Sequence, residues 1–100
     1  MLFVAGVVAF DASGYLVGDG DIKAQTRQVL ENIKELVFAA GGSLSDVTKT
    51  TVYLTDLANC GMNEVYREYF AKAPPASATV KVELFGPRLL VEIDAVAVLS

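Results

Sequence analysis

Pro74-Pro75-Ala76-Ser77-Ala78-Thr79-Val80, followed past a turn by Leu90-Val91-Glu92-Ile93-Asp94-Ala95, is the stretch that decides the fold. The paired prolines end whatever precedes them, because proline disfavours helix at the residue before it. Thr79 to Phe85 then reads as a strand, Gly86-Pro87-Arg88 as a turn and Leu89 to Leu99 as a final strand. The nearness of the two runs predicts an antiparallel hairpin. Within the last run a carboxylate, Glu92, stands in an otherwise apolar β segment. Glu92 shares a strand face with Leu90, Asp94 and Val96.

Upstream of the prolines, Asn59 is placed to cap a helix running to about Lys72, with Met62, Val65, Tyr66, Tyr69 and Phe70 turned inward. Val47 to Thr55 is rich in Val, Thr and Tyr and predicts a strand. From Asp21 to about Ala40, apolar residues at Ile22, Val29, Leu30, Ile33, Leu36, Val37 and Ala40 follow helical spacing. Asp19 and Asp21 sit at its start, where carboxylates suit the helix dipole, and Gly41-Gly42 stop it. Met1 to Phe10 is an apolar, β-branched strand, Asp11-Ala12-Ser13-Gly14 a turn, and Tyr15-Leu16-Val17 a short strand. The order β-(β)-α-β-α-β-β predicts an α+β fold, a mixed β-sheet with two helices packed on one face.

One hundred residues make one domain, 1–100. The apolar fraction, 53%, is high for so short a chain. Two helices cover only one sheet face, so the other face is expected to be buried by further subunits. The net charge is −4 and the eight basic residues are dispersed. No positive stripe of the kind nucleic acid requires is present, which argues against a nucleic-acid partner. With no histidine and a single cysteine, Cys60, no intrachain disulfide and no Ser-His-Asp triad can form, and an ordinary zinc site is not expected. The apolar residues 2–10 are too few to span a membrane and lack the basic start of a secretory signal. These features predict a cytoplasmic protein with no membrane partner, no metal and no cofactor.

Several segments together are similar to one family. Leu2-Phe3-Val4-Ala5-Gly6 resembles an early strand ending in glycine, and Gln25 to Ile33 a first helix. Ala39-Ala40-Gly41-Gly42-Ser43-Leu44-Ser45-Asp46-Val47 to Leu57 resembles a helix end and central strand. Met62-Asn63-Glu64-Val65-Tyr66 resembles a second helix. With Pro74 to Val80 and Leu90 to Ala95, they resemble the YjgF/RidA-like family of enamine/imine deaminases. The resemblance implies a chorismate-mutase-like sandwich assembled as a homotrimer around a central barrel, with small metabolites handled in clefts between subunits.

The resemblance also implies a site. Glu92 is its water-orienting carboxylate, and Asn63, Thr79 and the Gly6 backbone line the cleft. The family's deaminases carry an arginine after Pro-Ala, which pairs with the substrate carboxylate; this chain has Ser77 there. A second departure is at the N-terminus, where the usual first strand, with a tyrosine reaching the cleft, is expected to be lacking.

Each residue also has a plainer reading. Glu92 could form an ion pair with Arg88 or Lys81, Thr79 could be an ordinary strand threonine, and Gly6 could simply relieve crowding. Asn63 could serve local polar needs of its helix. Ser77 could be a turn serine or a neutral hydrogen-bond donor; no histidine is available to make it a nucleophile. Arg88 could replace the missing guanidinium if its turn folded toward the cleft, or stay solvated. Cys60 is expected to be small and semi-buried, and the aromatics to be core or interface. Two functions follow from these readings. One is hydrolysis of an imine-like compound by an arginine-lacking member, with classical 2-aminoacrylate deamination doubtful. The other is a non-catalytic trimer binding a small metabolite. A ribonuclease, an activity also attached to the family, is disfavoured by the charge and the absence of histidine.

Overall fold

The computed structural model describes residues 1–99. Four strands form one sheet: β1 (Leu2–Val7), β2 (Val47–Leu54), β3 (Ala76–Lys81) and β4 (Val91–Ala97). Their spatial order is β1-β4-β2-β3. Two helices, α1 (Ile22–Ala39) and α2 (Gly61–Phe70), pack on one face of this sheet. The expected α+β class and mixed sheet are therefore present.

The predicted hairpin between the last two strands is not. Strand β3 runs parallel to β2, with Thr50 opposite Ser77 and Val52 opposite Thr79. The reason is α2: a helix between two strands carries the chain back to the starting end, and the second strand then lies parallel to the first. Strand β4 instead inserts between β1 and β2, antiparallel to both. Residues 82–90 make the crossing from the β3 edge to the sheet centre. Two bonds mark the path at the end of β2: Val82 N–H donates to Leu54 O at 2.9 Å, and Thr55 N–H donates to Leu90 O at 3.2 Å. Strand β3 thus begins at Ala76 and stops at Lys81, earlier at both ends than the β-branched composition of 79–85 indicates.

Two smaller expectations are also corrected. Tyr15-Leu16-Val17 makes only a single bridge, Leu16 to Phe10. Helix α2 starts beyond Asn59, with Cys60 in the cap position and no side-chain cap. Helix α1 begins as expected: Asp21 caps it by accepting from Ala24 N–H at 3.1 Å. It ends with Gly41 and Gly42 donating to Phe38 and Val37.

The core lies between sheet and helices. Val29, Leu30, Ile33 and Val37 of α1 are fully enclosed, as are Val91, Ile93 and Ala97 of β4. Strand β4 alternates buried and half-exposed along its whole length, the period-two signature of a strand with one packed face. Gln25 is also fully buried. Its amide donates to Gly18 O at 3.1 Å and Arg88 O at 2.9 Å, and its oxygen accepts from Leu90 N–H at 2.9 Å. One side chain thereby fixes two loops against α1. No helix among the described residues is long and apolar enough to cross a membrane.

Candidate functional site

The pleat separates the expected site residues into two groups. Ser77 and Thr79 pair with Thr50 and Val52, so they stand on the helix side of the sheet. There they line a cavity of about 220 Å³ together with Val52, Met62, Asn63 and Tyr66. Strand β3 is exposed along its full length because it is the sheet edge and the helices do not extend over it. Ser77, Thr79 and Asn63, from two different elements, are thus brought together in one chain. No charged side chain lines this cavity.

Its polar groups are ordered. The Thr50 hydroxyl is buried and donates to Ser77 Oγ at 2.9 Å. Thr50 Oγ1 also lies 2.6 Å from the Tyr66 hydroxyl. A threonine hydroxyl has one hydrogen, and here it is committed to Ser77, so Tyr66 donates to Thr50. The Ser77 hydrogen is left for the cavity.

Glu92 lies on the opposite, helix-free face, opposite Tyr53 in register. Asp94 shares that face and is the better-anchored carboxylate. It accepts from Gly6 N–H at 2.7 Å and from the Tyr53 hydroxyl at 2.9 Å. Gly6 sits in an irregularity between Val4 and Val7, with φ +69°. Glycine adopts this region without the penalty that a Cβ brings, and the turn aims the N–H at Asp94. The Gly6 N–H is therefore already engaged. The hydrogen bond from Tyr53 to Asp94, and then burial, raise the tyrosine's pKa.

Glu92 makes no hydrogen bond and no ion pair among the described residues. The pairing with Arg88 or Lys81 is not formed: Arg88 reaches Asp19 at 3.3 Å, both exposed. This also takes the Arg88 guanidinium away from the Ser77 cavity. Burial first, and then the negative charge of Asp94, raise the Glu92 pKa above the usual carboxylate value. An unpaired carboxylate whose pKa is raised is a better proton acceptor than an ordinary solvated one.

Cys60 is exposed and unbonded to another cysteine, not semi-buried. No cluster of metal-binding side chains exists among the described residues. Thr50, Tyr66 and Asp94 were not singled out from the sequence. Thr50 carried a signal, since it alternates with Val52 and Leu54 on the apolar face of β2. Asp94 carried a weaker one, as a second carboxylate on the face of Glu92.

The sequence pattern of the Endoribonuclease L-PSP family matches residues 1–99. A RutC family protein of Pyrococcus horikoshii is 50% identical over 97 residues, 96% of this chain and 77% of the relative. A crystal structure from Thermotoga maritima is 40% identical with a TM-score of 0.91, covering 98% of this chain and 78% of that one. RidA from an Antarctic Psychrobacter is 38% identical with a TM-score of 0.88, covering 97% and 79%. With a family match along almost its whole length, the chain belongs to the Endoribonuclease L-PSP family, the YjgF/RidA-like proteins.

Proposed function

We propose that this protein acts on a small metabolite in clefts formed between copies of itself, as a homotrimer. In each cleft, Glu92 of one subunit faces the cavity of Ser77, Thr79 and Asn63 of the next. The observation that carries this reading is the separation of the two groups onto opposite faces of one sheet. A single chain cannot bring them together, but the helix-free face of one copy against the exposed β3 edge of another can. That face carries Phe3, 71% exposed, and Val80, 40% exposed, apolar surface suited to an interface.

The chemistry is hydrolysis of a carbon–nitrogen double bond. Glu92 accepts a proton from water as the oxygen bonds to the C=N carbon, and the nitrogen takes up the proton. The carbinolamine then collapses: its hydroxyl gives up its proton, the nitrogen takes one up through Glu92, the C–N bond breaks, ammonia or an amine leaves, and a carbonyl compound remains. No metal or cofactor enters this scheme. General acid–base assistance of this kind contributes roughly 10²–10⁴-fold. Ser77 stands where an arginine would grip a carboxylate, and each lost hydrogen bond to a charged group is worth about 1.5–3 kcal/mol. This argues against 2-aminoacrylate as the natural substrate. The uncharged cavity favours the second reading, a metabolite-binding trimer without catalysis, in which Glu92 is dispensable. The dispersed basic residues and net charge of −4 argue against ribonuclease action. The free cysteine suits a reducing, cytoplasmic setting.

A coupled assay separates the two readings. A dehydratase generates 2-aminoacrylate, and keto-acid appearance is followed with the unmodified protein, Glu92→Gln and Ser77→Arg. Acceleration that vanishes in Glu92→Gln establishes a hydrolase that needs no arginine. Acceleration only in Ser77→Arg means the native ligand is different, and the binding reading leads.

A further inference from the structure

The cavity at Ser77 is built around a directed chain of hydroxyls. Tyr66 donates to Thr50 at 2.6 Å, and Thr50 donates to Ser77 at 2.9 Å. The middle member is 1% exposed and has one hydrogen to give, which goes to Ser77. Reversing the chain would leave Thr50 donating to Tyr66 and a buried contact to Ser77 made from the other end, which withdraws the Ser77 hydrogen from the cavity. The observed order does the opposite. Each donated bond polarises the next hydroxyl, so the last one is the strongest donor.

We propose that Tyr66 and Thr50 are positioning residues that hold the Ser77 hydrogen toward the cavity, making position 77 a neutral donor for the carbonyl oxygen of an uncharged small ligand. The inference rests on the cleft reading above and adds the ligand's charge class. Val52 and Met62 supply the apolar walls, and Thr79 and Asn63 the further polar contacts. A carboxylate would lose its hydration here without gaining a cation, which is strongly unfavourable. The facing Glu92 of a neighbouring subunit would add repulsion. An amide or ketone needs only the donor that the chain presents.

The test uses pyruvamide and pyruvate, a pair matched in shape and differing in charge. Each is titrated into the intact protein while the amide resonances of Ser77, Thr79 and the Asn63 side chain are followed. Pyruvamide is expected to bind at these residues at least several-fold more tightly than pyruvate. Tyr66→Phe and Thr50→Val should each weaken pyruvamide roughly fivefold, the size of one net hydrogen bond. Thr50→Ser, which keeps the hydroxyl, should retain the affinity, a rescue that loss of packing would not show. Ser77→Arg should invert the preference toward pyruvate. Pyruvate binding the unmodified protein better than pyruvamide, or equal pyruvamide affinity in Tyr66→Phe, overturns the positioning role while leaving the cleft reading intact. Absence of any shift at Ser77, Thr79 and Asn63 with either probe overturns both.

Discussion

The two faces of the sheet are built to different ends. The helix-covered face holds Val91, Ile93, Ala95 and Ala97 from β4 against Val29, Leu30, Ile33 and Val37 from α1, all closed to solvent. The bare face holds Glu92, Asp94 and Val96 from the same strand, with Phe3 and Tyr53 beside them. One strand therefore contributes both the centre of the fold and the carboxylates of the candidate site. Changes at the enclosed centre of the covered face should therefore be read as folding, whereas changes on the bare face, and at the β3 edge where Ser77 and Thr79 line the cavity, should be read as assembly and chemistry.

That comparison can be broken most severely from the covered side. Ile33→Ala removes a fully buried side chain and should cost about 2–5 kcal/mol, read as a large fall in melting temperature. Gln25→Ala leaves the Arg88 carbonyl and the Leu90 N–H without partners, and the Gly18 carbonyl with only its bond from Asp21 N–H. It should cost about 1–3 kcal/mol, with faster hydrogen exchange at Leu90 N–H. Gly18→Ala provides a sharper check on the same region. The backbone there has φ +80°, and a Cβ would lie 2.7 Å from Ala24 Cβ and 2.9 Å from Gln25 N. A melting temperature within a degree or so of the unmodified protein would contradict this account of how the loop packs on α1.

On the bare side, Phe3→Asp should leave the circular dichroism spectrum unchanged and shift sedimentation toward smaller species, since Phe3 has little to pack against within the chain. The smallest effect concerns pH. The folded-state pKa of Glu92 is raised, so the native state holds this proton more tightly than the unfolded state does. Stability from this group is then greatest at low pH and falls as pH rises through the usual carboxylate range toward the raised value. Glu92→Gln should flatten that part of the stability curve, measured by urea unfolding across the acid range. A steeper decline in the variant would reverse the sign of the argument.

Much of the fold was legible. The α1 stripe, its Asp21 cap and the Gly41-Gly42 stop each have a local cause, and each stands where periodicity places it. The partner of β3 was not legible, because strand runs 79–85 and 89–99 look equally suited to a hairpin. The decision belongs to α2, whose return path leaves β3 beside β2 and frees β4 to enter the centre. At the candidate site, residue types were readable and faces were not. Alternation along β4 places Glu92 away from Ile93, but only the register of β3 on β2 shows that Ser77 lies on the other side. The roles of Gln25 and Thr50 are not legible in the sequence, because polar residues within apolar patterns have no single meaning until their partners are known.

The central claim, that Glu92 and Ser77 meet only between copies, can be tested by cross-linking. In a Cys60→Ser background, Glu92→Cys and Ser77→Cys are combined and the native protein is treated with a short bifunctional maleimide. The account predicts covalent dimers and trimers on denaturing gels, and none from either single cysteine variant carried alone. A product confined to monomer size, with both cysteines joined within one chain, would contradict it.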